Sequence, residues 1–138
     1  MAKTLKLLLI LFLLISLGAT VYYATRVVTL SSRASFNTGT ISTENSYIFA
    51  SPITAKADGQ ESIRITIFIL SQQGLGIQAV PVELTSTRQT IKITPISPTT
   101  DETGKAYFEL SSTTPGPATI VATVEGQEIN QKLTISFH

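Results

Sequence analysis

The stretch "SIRITIFIL", residues 62–70, decides the fold of this 138-residue chain. Ile63, Ile65, Ile67 and Ile69 take every second position, with Ser62, Arg64 and Thr66 between them. Side chains on a strand point alternately to opposite faces, so this spacing gives one buried and one wet face. A helix with four isoleucines at this spacing would scatter them around its circumference. Phe68 and Leu70 break the polar face at its far end.

The same period recurs along the chain. Val80, Val82 and Leu84 alternate with Pro81, Glu83 and Thr85, and Ile91 and Ile93 flank Lys92. Ala106, Phe108 and Leu110 alternate with Tyr107, Glu109 and Ser111. Ala118, Ile120, Ala122 and Val124 form another stripe, and Leu133, Ile135 and Phe137 a last one. Tyr47–Ala50 and Ile53–Ala55 read as a broken first strand. Turn signals separate the runs: Asp58-Gly59, Gly74 and Gly76, Ser97-Pro98, Thr103-Gly104, Pro115-Gly116-Pro117 and Glu125-Gly126. About seven short strands with turns every 8 to 12 residues or so predict an all-β, antiparallel sandwich of Ig-like type. Pro81 cannot donate to a ladder, which puts it at an edge or at the start of a strand.

Ahead of this lies a different chemistry. Leu7 to Thr25 carries no charge and holds seven Leu, two Ile, one Phe and one Val. Nineteen helical residues at about 1.5 Å each span roughly 28 Å, close to the hydrocarbon thickness of a bilayer. Tyr22 and Tyr23 stand at its end, where amphipathic rings favour the headgroups. Residues 1–26 are therefore expected to be a transmembrane anchor that partners the lipid bilayer through Leu7–Thr25. The alternative is a cleaved signal peptide and secretion, but the run is long for one and no good A-x-A site follows it. With no Cys in the chain, a lipoprotein anchor is excluded. Lys3 and Lys6 favour a cytoplasmic N-terminus and an extracytoplasmic remainder. Eight of the nineteen residues from Val27 to Asn45 are Ser or Thr, so 27–45 is expected to be a stalk and 46–138 the folded domain.

From residue 27 onward there are seven Lys/Arg and nine Asp/Glu, a net of minus two. No basic stripe remains to follow a phosphate backbone, which argues against nucleic-acid binding. Without Cys the fold must rest on its apolar core.

Candidate chemistry is sparse. In "TDETGKAYFEL", residues 100–110, Asp101 and Glu102 sit side by side before Thr103-Gly104. Acid/base work needs two groups in a concave pocket, and calcium needs a longer series of oxygen ligands. A turn is the favoured reading, because an Asp side chain caps backbone amides two residues on. His138 is the single histidine, so no multi-histidine metal site or histidine triad exists. Arg64 and Arg88 are expected on solvated faces. The expectation is no enzyme, no metal and no cofactor. A candidate partner surface is the set of partly apolar outward positions Phe68, Leu70, Tyr107 and Val121, together with the sheet edges.

Two longer segments resemble a known family. "SPITAKADGQESIRITIFILSQQGLGIQAVPVEL", from Ser51, and "TTDETGKAYFELSSTTPGPATIVATVEG", from Thr99, are similar to bacterial Ig-like group 1 (Big-1) domains, the repeated modules of invasin- and intimin-type surface proteins. The matching positions include Ala57-Asp58-Gly59, Val80-Pro81-Val82, Thr100, Asp101, Gly104, Ala106, Leu110, Ser112, Gly116, Ala118, Ile120 and Ala122. The resemblance implies an Ig-like sandwich and a structural, adhesive or protein-interaction role at a bacterial cell surface, with surface proteins or glycans as partners. A rival assembly, a pilin-like filament subunit, would need a Glu near the start of the apolar helix and a Gly cleavage point before it. Neither is present.

Overall fold

The computed structural model describes Lys6, residues 12–20, Tyr22 and residues 39–138. These fall in two units. In the first, the described residues are helical. The apolar side chains of Phe12, Leu13, Leu14, Ile15 and Leu17 are exposed. The Thr20 hydroxyl lies within hydrogen-bond reach of the carbonyls of Ser16 (3.1 Å) and Leu17 (2.8 Å), which satisfies it within the helix. Among the described residues no helix is long and apolar enough to cross a membrane. Residues 7–11, 21 and 23–25 of the expected anchor and residues 27–38 of the expected stalk lie outside the described residues.

The second unit is a sandwich of two sheets. Its described strands are β1 (Ile41–Ser51), β2 (Thr54–Ala55), β3 (Ile63–Ser71), β4 (Val82–Ser86), β5 (Ile91–Ser97), β6 (Lys105–Ser112), β7 (Gly116–Val124), β8 (Gln127–Glu128) and β9 (Leu133–Phe137). The first sheet runs β1-β3-β6-β5. The second runs β2-β9-β7-β4, with β8 also paired to β7. Ile63, Ile65, Ile67 and Ile69 are all 0% exposed, as the alternation of β3 requires. They join one core with Phe108 and Leu110 of β6, Ile120 and Ala122 of β7 and Ile135 and Phe137 of β9. Each isoleucine so buried stabilises the fold by roughly 1.5–3 kcal/mol relative to exposure.

Three details depart from the sequence expectation. Nine described strands replace about seven, because β2 and β8 have two residues each and carry no period of their own. The sandwich is not wholly antiparallel: β2 runs parallel to β9, with Thr54 opposite Ser136 and Ala55 opposite Phe137. Backbone bonds from Ser136 N to Ile53 O (3.0 Å), His138 N to Ala55 O (3.0 Å) and Ala57 N to His138 O (2.8 Å) hold that pair. The first strand is thus split between sheets, since the chain leaves the first sheet after Ser51 and joins the second at Thr54.

The third departure is that β1 begins at Ile41, so the last five residues of the expected stalk are strand. An irregularity in the ladder between Ser42 and Tyr47 hides the period there. Buried Ser46 bridges it: its Oγ donates to Ser42 O (2.6 Å) and accepts from Leu70 N (3.0 Å). Asn45 adds bonds from Nδ2 to Ser71 O and Gln72 O, both 3.1 Å. Side chains supply here what a regular ladder would.

The edges are protected. β4 starts directly after Pro81, as expected of a residue with no N–H to give. β5 carries Pro95 and a register shift between Pro95 and Ser97. On β1, Ile48 N donates to the Gln131 side chain (3.2 Å), and Thr43 O accepts from Asn130 N (3.1 Å). Free strand edges invite pairing with other chains, and each of these features blunts one.

Candidate interaction surface

The Asp101–Glu102 pair is a turn. Asp101 Oδ1 accepts from Thr103 N (2.8 Å), the Thr103 hydroxyl (2.7 Å) and Lys105 N (3.1 Å). Its backbone closes the loop through Lys105 O (2.9 Å) and Gly104 N (2.9 Å). Partial burial raises the Asp101 pKa, but the Thr103 hydroxyl and the Lys105 and Thr103 amides outweigh it and hold the carboxylate below its ordinary value. Its oxygen is committed to the protein's own donors, and Glu102 points to solvent. Among the described residues no group of three or more His, Cys, Asp or Glu is placed to hold a metal.

Asp58 does the same work in its own turn. Its Oδ1 accepts from Gln60 N and Glu61 N, both 2.8 Å, and these two amides, Glu61 first, lower its pKa. Glu61 in turn pairs with Lys56 Nζ at 2.9 Å. Arg64 lies on a wet face, paired to Glu109 at 2.9 Å. Arg88 does not. Its Nη2 donates to Thr114 O (3.4 Å) and Pro115 O (3.2 Å), and its Nη1 is buried against Gly116 with no hydrogen-bond partner. It clamps the Pro115–Gly116 turn instead of standing in solvent.

The outward face of the first sheet is where the expected partner residues gather. Register places them in rows across the strands. One row is Tyr47, Phe68 and Lys105 on β1, β3 and β6. The Tyr47 and Phe68 rings stack with centroids 4.5 Å apart at 14°, and Lys105 Nζ lies 5.4 Å from the Phe68 centroid. Stacking and the cation on the ring face hold this row upright. The next row is Phe49, Thr66, Tyr107 and Ser97. The third is Ser51, Arg64, Glu109 and Thr94. Leu70 closes β3 at the end of the same face, opposite Ser42.

Phe68, Leu70 and Tyr107 therefore share one surface. Val121 does not, because it lies on β7 in the other sheet, opposite Thr85. The sequence reading missed Tyr47 and Phe49, which are 40% and 56% exposed and are the most accessible Phe and Tyr side chains among the described residues of the sandwich. The signal was present. Ser46, Ile48 and Ala50 form the buried stripe of β1, so the two rings between them must face out.

Residues 45–138 match the family model for the bacterial Ig-like domain, group 1. The chain belongs to this family. Its fold is shared with the D00-D0 domain of intimin, at 26% identity and a TM-score of 0.59, over 73% of this chain and 51% of that one. Invasin, described as a bacterial integrin-binding protein, aligns at 28% identity and a TM-score of 0.62, over 72% of this chain and 20% of its own. The adhesin InvE of Yersinia pseudotuberculosis shares the fold at 23% identity and a TM-score of 0.60, over 72% of this chain and 28% of its own. The chain thus spans about half of the intimin fragment and a smaller part of the other two. No curated protein matches it in sequence. In this family setting the two-sheet sandwich is a Big-1 domain, and the turn glycines and Thr100–Asp101 serve its architecture.

Proposed function

We propose that this chain is a membrane-tethered interaction module that presents one Big-1 domain outside the cytoplasm, with an adhesive or protein-binding role at the cell surface and no catalysis. The family match over residues 45–138 is the observation that carries the reading. Invasin, an integrin-binding protein, and an intimin fragment solved in complex with the intimin-binding domain of its translocated receptor support a binding role by likeness. The charge-free run Leu7–Thr25 supports tethering: its length suits a bilayer, and Lys3 and Lys6 before it favour an inside N-terminus. In this reading residues 1–26 are the anchor, and the stalk runs from Val27 to the start of β1.

The test is fractionation combined with protease treatment of protoplasts or spheroplasts of expressing cells. The chain is expected in the membrane pellet, released by detergent and not by high salt. A C-terminal tag should be destroyed by external protease and an N-terminal tag protected. A soluble chain, or a protected C-terminus, would overturn the reading.

A further inference from the structure

We infer that the outward face of the four-stranded sheet is a docking surface for an acidic polysaccharide, a chain of uronic-acid sugars. The inference rests on the reading of the chain as a surface interaction module and names its ligand class.

The centre of the face is the row Phe49–Thr66–Tyr107. Two strand spacings separate the outer residues, so their Cβ atoms stand roughly 9.6 Å apart with a short threonine between them. Register thus sets an aromatic side chain on either side of a threonine, with room for a notch between them. Such a notch takes one ring-shaped group with an apolar face on each side. A pyranose fits this description, because its C–H bonds are electropositive and aromatic faces are electronegative. Its hydroxyls meet Thr66 below and Ser97, which lies opposite Tyr107 on β5. The stacked Tyr47–Phe68–Lys105 row fixes one side of the notch and the Arg64–Glu109 pair the other. Walls ordered in advance lower the entropy cost of binding.

Charge gives the sign of the ligand. Among the residues in ladder register on this face, Arg64, Lys92 and Lys105 stand against Glu109, three cations and one anion. This set is net positive on a segment from residue 27 that is net negative, with seven Lys/Arg against nine Asp/Glu. A field of opposite sign to the rest of the domain steers anions to this face. A sugar polymer suits it better than an acidic peptide. The backbone groups of β3 and β6 are committed to ladders on both sides. The β1 edge is engaged at Ile48 by Gln131. An extended peptide would find no main-chain partners across the face. What the face offers is rings, hydroxyls and ammonium groups.

The experiment is affinity electrophoresis of the full-length chain in detergent micelles, with polygalacturonate in the gel and with dextran and polyglutamate in parallel gels. Polygalacturonate is expected to retard the chain, while dextran and polyglutamate leave its mobility unchanged. Phe49→Ala and Tyr107→Ala should each weaken binding about tenfold, as loss of a central aromatic contact does. Tyr107→Phe keeps the ring and should retain most of the retardation. Lys105→Gln should weaken it and flatten its salt dependence, and Val121→Ala on the opposite sheet should change nothing. Circular dichroism of each variant checks that the sandwich is intact. No retardation by polygalacturonate, equal retardation by dextran or polyglutamate, or an unchanged Phe49→Ala and Tyr107→Ala pair overturns the inference. If protease treatment still places the domain outside while polygalacturonate fails to bind, the ligand assignment falls and the surface-module reading stands.

Discussion

At the scale of single residues, two glycines that face each other hold two loops together. A Cβ on Gly76 would collide with the Thr103 carbonyl, and one on Gly104 would lie 2.5 Å from Ile69 O. Gly104 also has φ +79°, a left-handed conformation that costs other residues about 1–2 kcal/mol. With overpacking added, Gly104→Ala should lose roughly 2–5 kcal/mol in urea unfolding. Gly74 has φ +75° but nothing within 4 Å, so Gly74→Ala should lose only the conformational part. Equal losses at the two positions would refute the close-approach account. Thr100 fills an analogous role with a hydroxyl. Its Oγ1 donates to Ile77 O (2.7 Å) and accepts from Val80 N (2.9 Å), and the residue is buried. Thr100→Val keeps the shape and orphans both groups, at an expected cost of about 1–3 kcal/mol in the same assay. Asp101 makes the turn beside it sensitive to acid. Its folded pKa lies below the unfolded value, so its contribution is complete above about pH 4 and is lost as pH falls through the lowered folded value. The gap in urea midpoint between wild type and Asp101→Asn should therefore be open at neutral pH and close in acid. A gap that stays constant would place the effect elsewhere.

At the scale of the element, β1 has two faces with different duties. Ile48 is 2% exposed, and Phe49, its neighbour, is 56% exposed. Ile48→Ala should cost roughly 2–5 kcal/mol by emptying core volume, while Phe49→Thr should stay within about 0.5 kcal/mol in thermal or urea unfolding. A large loss from Phe49→Thr would mean the ring supports the fold and is not free to bind. β1 also shows where sequence reading stops. In β3 and β7 the period runs unbroken, so Ile63–Ile69 and Ala118–Val124 declare their buried faces without help from the rest of the chain. In β1 the period is interrupted between Ser42 and Tyr47, and beside the local Ser46–Ser42 bond the contacts that repair it come from Leu70 and Ser71 on β3. Nothing local to residues 41–46 announces them. β2 is legible only through its distant partner, since two residues cannot specify a pairing and Ser136 and Phe137 choose it. The candidate surface divides along the same line. Phe68 and Tyr107 stood out as apolar residues on wet faces, and three-dimensional register was needed to set Phe49 beside them and to send Val121 to the opposite sheet.

At the scale of the whole molecule, the sandwich has to stand without covalent help. There is no cysteine, and the core is one cluster in which Ile65 and Ile67 of the first sheet join Ile120 and Ile135 of the second. A single cluster gives neither sheet a stable state of its own, because each would expose the stripe the other covers. The strand order adds to this. β1 and β2 are joined by two residues yet lie in different sheets, and β2 pairs with the final strand of the chain, so the earliest and latest strands close the sandwich together. Residues 39–138 made alone should therefore unfold in one cooperative step. The calorimetric enthalpy should equal the van't Hoff value, near 70 kcal/mol for about 100 residues. Reductant should leave the midpoint unchanged, and removal of Leu133–His138 should abolish the transition, not merely lower it. Two resolved transitions, or a cooperative remnant after that truncation, would show that the sheets are independent units and that the parallel β2–β9 pair is an ornament on a fold already complete.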